Sequence, residues 1–398
     1  MFARGLDTRP VRLTFTQPTA GAWAVATQLY PTANPLEYTA PNLQYLMDSP
    51  TEFGSVVIKP FDVAGSHFRF AVHHTGDDAE LTRFVKDVER VVATERDVYG
   101  EFPQYEPGRY TFIADYLPWA NGDGMEHRNS TIITASGSIR SDRSRLLGTV
   151  AHEFFHNWNV KRLRPVELGP FDYETERQTT MLWVAEGFTD YYGDLLVRRA
   201  GLYSDTEYLG VLSGAITAVQ GTPGRQVTPV NMASYDTWIK QYRPDENTAN
   251  TTVDYYPKGA VIAFLLDAKI REATKGAKTL DDAMALAFQR YGGDAGYTPA
   301  QFYATMSEVA GTDLMPFFRS AAESTDELDF TGALAYYGLR FAPSTMTGAA
   351  DLGTLTKNDA GRLVVSGVRR RGELGADAGV VEGDRVVADR RLLGLLGE

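Results

Sequence analysis

The chain has 398 residues, enough for two or three domains, and its 43% hydrophobic and 23% charged content is that of a folded globular protein. A formal net charge of −12 argues against nucleic acid and anionic membrane as main partners, and no apolar run reaches the roughly 18 residues of a membrane span. Cysteine is absent, which excludes disulfides, thiolate metal sites and a cysteine nucleophile, so any metal must be held by His, Asp or Glu. The N-terminus lacks the apolar core of a signal peptide. As given, the chain reads as cytoplasmic, or as periplasmic if its N-terminus is truncated.

Residues 1–75 alternate in the manner of strands, over Val11–Phe15, Ala22–Leu29 and His67–Val72, with Gly and Pro as punctuation. His73 and His74 are expected at an exposed strand end. Asp77–Gly100 predicts an amphipathic helix, with Leu81, Phe84, Val85, Val88, Val91 and Val92 on the apolar stripe and Gly100 as the stop. A strand over Tyr110–Leu117, a loop over Pro118–Ser130, a second strand over Thr131–Ala135 and a helix from near Asp142 follow, an α+β pattern. Either Ser141 or Asp142 can cap that helix. Lys161–Pro165 reads as a basic helix end stopped by proline. Thr179–Ala200 reads as one further helix, and helical patterns recur at 205–219, 256–274, 280–291, 299–309 and 314–323. From about Leu334 the pattern changes to short strands and glycine-rich turns at 336–339, 362–368 and 380–388. The domain reading is therefore 1–75 β-rich, 76–230 catalytic, 231–333 helical and 334–398 a small β module.

The stretch GTVAHEFFHNWN (Gly148–Asn159) carries the chemistry. His152 and His156 are four apart, so on a helix their Cβ atoms lie about 5–6 Å apart on one face and two imidazoles can grip one metal ion. Glu153 follows the first histidine and can reach a water on that ion. Zinc suits such a site because it accepts imidazole and carboxylate and can keep a position open for water. Glu186 is the best third donor, since a carboxylate among Leu182, Trp183, Val184 and Phe188 is rarely buried without a partner. Asp190, four residues on, can accept the far N–H of a ligating histidine. Two further features remain open on spacing alone. Glu126, beside the close-approach glycines Gly122 and Gly124, is either an anchor for a substrate ammonium or part of a polar hairpin. Tyr256 is either a hydroxyl aimed at a developing oxyanion or a core aromatic.

Four strings in order resolve these alternatives: GMEHRNST (Gly124–Thr131), HEFFHNWNVKRLRP (His152–Pro165), LWVAEGFTDYYGDLL (Leu182–Leu196) and YYPKGA (Tyr255–Ala260). Together they resemble the glycyl aminopeptidases, zinc metallopeptidases of the thermolysin-like clan that usually carry a PDZ domain and are similar in layout to the alanyl and leucyl aminopeptidases. The resemblance runs from about Trp23 to about Ala388. It implies a single Zn2+ on His152, His156 and Glu186, Glu153 as general base, and Asp190 behind the ligands. It further implies Glu126 and Gly124 at the substrate's amino group, with His127 where the larger enzymes have asparagine, and Tyr256 at the oxyanion. The implied activity is removal of a small N-terminal residue, Gly or Ala, from peptides with a free amino terminus. A zinc endopeptidase and a non-catalytic peptide-binding scaffold are the rival readings. The resemblance also implies a longer N-terminal β domain than is present and a PDZ-like module that ends at Glu398, short of a complete peptide groove.

Overall fold

The computed structural model describes residues 4–19, 21–172, 174–342, 354–359 and 362–368. The strands, in chain order, are β1 (Val11–Thr14), β2 (Ala24–Thr27), β3 (Tyr30–Pro31), β4 (Glu37–Ala40), β5 (Thr51–Gly54), β6 (Val57–Val63), β7 (Ser66–His74), β8 (Tyr110–Tyr116), β9 (Asp123–Glu126) and β10 (Ser130–Ala135). The helices that matter for the site are α1 (Leu43–Met47), α2 (Asp78–Tyr99), α3 (Arg143–Phe155), α4 (Leu182–Ala185) and α5 (Gly187–Arg199). Two compact units divide the chain. The first comprises residues 1–177, 188–211 and 280–305, and the second comprises 178–187, 212–279 and 306–398.

The first unit is built on a five-stranded sheet in the order β6-β7-β8-β10-β9. Its three central strands run parallel, and β6 and β9 pair antiparallel at the edges. The parallel strands read as near-continuous apolar runs because both faces are covered. Phe70, Ala71, Val72, Phe112, Ile113 and Ala114 are all buried. α2 forms where the sequence predicts it. Asp77 and Glu80 complete a reciprocal capping box, and Gly100 closes the helix in the left-handed conformation at φ 83°.

α3 is positioned by its aromatic residues. Phe154 is fully buried and meets Tyr110 edge-on at 5.1 Å and Phe112 at 5.4 Å. Phe155 stacks on Tyr192 of α5 at 4.6 Å. Such pairs are worth about 0.5–1.5 kcal/mol each beyond burial. Arg143, at the first turn of α3, holds Asp87 of α2 through two nitrogens at 2.9 and 2.5 Å. α3 and α5 also approach closely through glycine. A Cβ on Gly193 would lie 3.2 Å from the His152 amide nitrogen, and one on Gly148 would lie 2.9 Å from the Tyr203 hydroxyl.

Several expectations are corrected. The loop over 118–130 contains the edge strand β9, because its polar residues ladder against β10 with Ile133 opposite Gly124 and Thr131 opposite Glu126. Asp142 occupies the N-cap position of α3 without capping a backbone N–H through its side chain. His73 and His74 do end a strand, but both are half-buried rather than exposed. Lys161–Pro165 lies beyond α3. Arg162 is buried, donating to the carbonyls of Gln104, Arg128 and Asn157, so it is a structural clamp rather than a solvated helix end.

In the second unit, α6 ends at Gly221, its span being Asp205–Gly221, and α7 (Val230–Tyr235), α8 (Thr248–Thr251) and α9 (Tyr255–Ala273) follow. The single helix expected over 179–200 is broken at Glu186, which has φ −101° and ψ −49° between α4 and α5. A Cβ on Gly187 would come 2.4 Å from the Gly259 Cα of α9, and one on Gly259 would come 2.1 Å from the Trp183 carbonyl. This backbone-to-backbone contact is tertiary, and the apolar period that suggested one helix does not encode it. Glu186 and Asp190 therefore do not share the face of one uninterrupted helix. Tyr336 and Tyr337 belong to a helix, Thr331–Tyr337, ended by Gly338 in the left-handed region, not to a strand. Residues 354–359 and 362–368 form an antiparallel pair. The expected strand at 380–388, and with it most of the PDZ-like module, lies outside the described residues. No described helix is long and apolar enough to cross a membrane.

Candidate metal centre and its relatives

The two motif histidines face each other at the C-terminal end of α3. His156 is almost fully buried, and its Nδ1 donates to the Asn159 carbonyl at 2.7 Å. A carbonyl can only accept, so that nitrogen carries the proton and Nε2 is left as a lone pair. His152 repeats the arrangement. Its Nδ1 lies 2.8 Å from Asp190 Oδ1, and the two Nε2 atoms are 3.1 Å apart. Two converging imidazole lone pairs repel unless a cation lies between them. Anchoring the far ring nitrogen to a carboxylate or carbonyl is also the usual way a metal-ligating histidine is held. The donor set therefore fits a divalent ion. Among the described residues, these two histidines belong to a possible His/Glu metal-binding group.

Glu153 turns the other way, toward the sheet. It is 5% exposed, and its Oε2 lies 3.4 Å from Thr131 Oγ1, whose hydrogen goes to the nearer Met125 carbonyl at 2.9 Å. A Cβ on Gly124 would fall 2.0 Å from Glu153 Oε1, whereas one on Gly122 would meet nothing within 4 Å. Gly124 is thus the glycine that the geometry requires, because the Glu153 carboxylate packs against its backbone. Two residues along β9, Glu126 is half-buried, 3.9 Å from the Lys161 ammonium, while Met125 between them is exposed on the other face. Alternation along a strand thus puts Gly124 and Glu126 on one face.

Residues the sequence reading missed hold this strand in place. Asp48, just after α1, accepts from the Arg128 amide at 3.0 Å, His127 Nδ1 at 3.1 Å and Lys161 Nζ at 3.3 Å. Burial opposes its charge, but Lys161 and His127 together hold its carboxyl below the usual range. Behind His152, Asp194 sits one turn beyond Asp190, and burial, reinforced by the Asp190 charge, pushes it up to about 7. A cleft of about 690 Å³ opens there, lined by His152, Asp190, Asp194, Arg145 and Tyr203. Its lining includes His152 but neither His156 nor Glu153. The i,i+4 spacing of Asp190 and Asp194, and Asn159 three residues past His156, are the only traces of this outer layer in the sequence.

In the second unit, Tyr256 enters α9 just after Asp254, which caps the helix by accepting from the Tyr256 amide. Its ring stacks on Tyr255 at 4.9 Å. Burial, and then the Glu186 carboxylate, push its phenol well up, so it stays protonated and can donate.

Residues 145–262 match the M61 glycyl aminopeptidase family, and residues 1–55 match the N-terminal domain of the same family. Two stretches of the chain, together less than half of it, are thus similar to the glycyl aminopeptidase family. The family match spans the histidine pair, Glu153, Glu186, Asp190 and Tyr256. The chain is also similar to the aminopeptidase N of Caulobacter vibrioides, 29% identical over 198 residues, which is 49% of this chain but only 20% of that protein. A solved aminopeptidase N family protein from Idiomarina loihiensis superposes with a TM-score of 0.89 at 26% identity, covering 97% of this chain and 69% of that one. The likeness in fold therefore extends well beyond the stretch matched in sequence.

Proposed function

We propose that this chain is a member of the glycyl aminopeptidase family, a zinc-dependent aminopeptidase that removes a small N-terminal residue, Gly or Ala, from peptides. The observation that carries the reading is the arrangement of ring protons: both Nδ1 atoms are committed away from the centre, and both Nε2 atoms converge on it. His152, His156 and Glu186 are the ion's ligands in this reading. Glu186 is supported by the family match, which spans it together with both histidines. When bound, zinc supplies Lewis acidity, polarising a carbonyl and lowering the pKa of a water to roughly 7.

The chain's own groups do the rest. Glu153 takes a proton from the attacking water and delivers it to the departing amine nitrogen, as expected of a positioned carboxylate. The backbone at Gly124, against which that carboxylate packs, limits where it can move. Glu126, on the same face of β9, accepts from the substrate's α-ammonium and so measures off one residue from the chain end. β9 is a sheet edge, so its unpaired side offers ladder groups to an extended peptide. Tyr256 donates its phenolic hydrogen to the carbonyl oxygen as charge builds there.

A panel of aminoacyl-arylamides with and without a chelator tests this. Glycyl and alanyl substrates should be hydrolysed, lose turnover on chelation and regain it with Zn2+. Equal cleavage of N-acetylated peptides at internal bonds would remove the exopeptidase part of the reading.

A further inference from the structure

The first unit holds another cluster of possible metal ligands, formed by Glu52 of β5, His73 of β7 and Asp115 of β8, with donor atoms within 4.8 Å of one another. His73 and Asp115 are register partners on neighbouring parallel strands. His73 Nδ1 is 2.8 Å from Asp115 Oδ1 and 3.5 Å from Glu52 Oε1. The ring rests over Gly54, where an added Cβ would come 3.2 and 3.3 Å from Cε1 and Nε2, so Nδ1 is the atom turned to the carboxylates. The three side chains are between a quarter and a third exposed, enough for an ion to enter.

The backbone scaffold brings the two carboxylate-bearing strands together here. β5 pairs with β2, and β2 is fixed to the central sheet by the apolar contact of Ala26 with Ala71 and Ile113. Arg69 adds a polar tie, donating from Nη2 to the Thr27 carbonyl at 2.6 Å and from Nε to Thr111 Oγ1 at 2.8 Å. Burial and the neighbouring Asp115 charge raise Glu52 above the usual carboxylate range, with His73 acting in the opposite sense. A cation would relieve that repulsion. Zinc bonds of about 2.0–2.2 Å at tetrahedral angles put neighbouring donors roughly 3.4 Å apart. The 3.5 Å pair fits as it stands, and the 2.8 Å pair needs to open by about half an ångström.

We propose that Glu52, His73 and Asp115 form a second zinc site, which ties the β2–β5 pair to the central sheet, with water completing the coordination. It shares no ligand with the His152–His156 centre, so it stands or falls separately from the proposed activity.

The test uses the full-length His152→Ala/His156→Ala protein, which removes the first centre, titrated with Zn2+ alone by calorimetry and by thermal melting. One saturable zinc per chain and a rise in melting temperature are expected. Glu52→Gln and Asp115→Asn, close in shape to the originals, should each weaken that binding tenfold or more and cancel the thermal shift, with circular dichroism showing an intact fold. If the double-alanine protein takes up no zinc below about 100 µM, or if Glu52→Gln and Asp115→Asn bind as well as their parent, the second site does not exist and the cluster is an ordinary hydrogen-bonded ion pair.

Discussion

The His152–His156 pair and the Glu52–His73–Asp115 group both bring imidazole and carboxylate together, but they place their protons differently. At the first, the carboxylate of Asp190 and the carbonyl of Asn159 face Nδ1, on the far side of each ring, so the Nε2 atoms converge with lone pairs outward. At the second, the carboxylates face the same nitrogen that would bind a metal, so a proton on His73 and a metal ion compete for one position. At the first centre the Nε2 lone pairs already face each other, whereas at the second the Nδ1 proton of His73 must leave that nitrogen before an ion can take its place.

The largest expected effect falls on Glu153, the group proposed to move a proton at the first centre. Glu153→Gln should keep zinc and lower kcat by about 10²–10⁴-fold. Unchanged turnover would leave the two centres without a functional difference. Next comes Gly124→Ala, which places a methyl where the Glu153 carboxylate now lies. A displacement of about an ångström at a reacting group can cost on the order of 100-fold in rate, so kcat should fall with zinc content unchanged. Stopped-flow turnover beside metal analysis separates the two quantities. Asp190→Asn should weaken zinc at the first centre by about 10–100-fold, read by competition with a chromophoric chelator, and leave the Glu52–His73–Asp115 group untouched.

A separate effect, on stability and not on the reaction, is expected at Asp194. Asp194 is raised to about 7 in the folded chain, from an ordinary carboxylate value when unfolded. The folded state then holds a proton that the unfolded chain has lost, so stability from this group declines as pH rises from about 4 to about 7 and is level above. In metal-stripped protein, Asp194→Asn should therefore gain on the parent across that window, by at most about 4 kcal/mol. A melting-temperature difference that stays flat from pH 4 to 8 would remove the assigned shift.

The two regions were unequally legible in the sequence. His152, Glu153 and His156 declare themselves because helical spacing alone puts the imidazoles on one face, and α2 does so through its apolar period and capping box. Glu52 and Asp115 carry no such mark. Asp115 is 42 residues from His73, and only the parallel pairing of β7 with β8 makes them neighbours. Gly124 was legible as a close-approach glycine, but its neighbour is a side chain on α3, which strand–loop–strand reasoning does not supply. The break at Glu186 was hidden for a related reason, since both half-helices carry the same apolar residues and the interruption arises where Gly187 meets Gly259. Tyr336–Leu339 was misread because aromatic residues beside a glycine satisfy strand patterns as well as they satisfy a short helix with a left-handed cap.

Diffraction collected at the zinc absorption edge from crystals of the full chain tests the central claim most directly. The account predicts an anomalous peak about 2.0–2.2 Å from His152 Nε2, from His156 Nε2 and from a Glu186 carboxylate oxygen. Zinc-soaked crystals with no peak between the two imidazoles, or with one that leaves Glu186 uncoordinated, would contradict it.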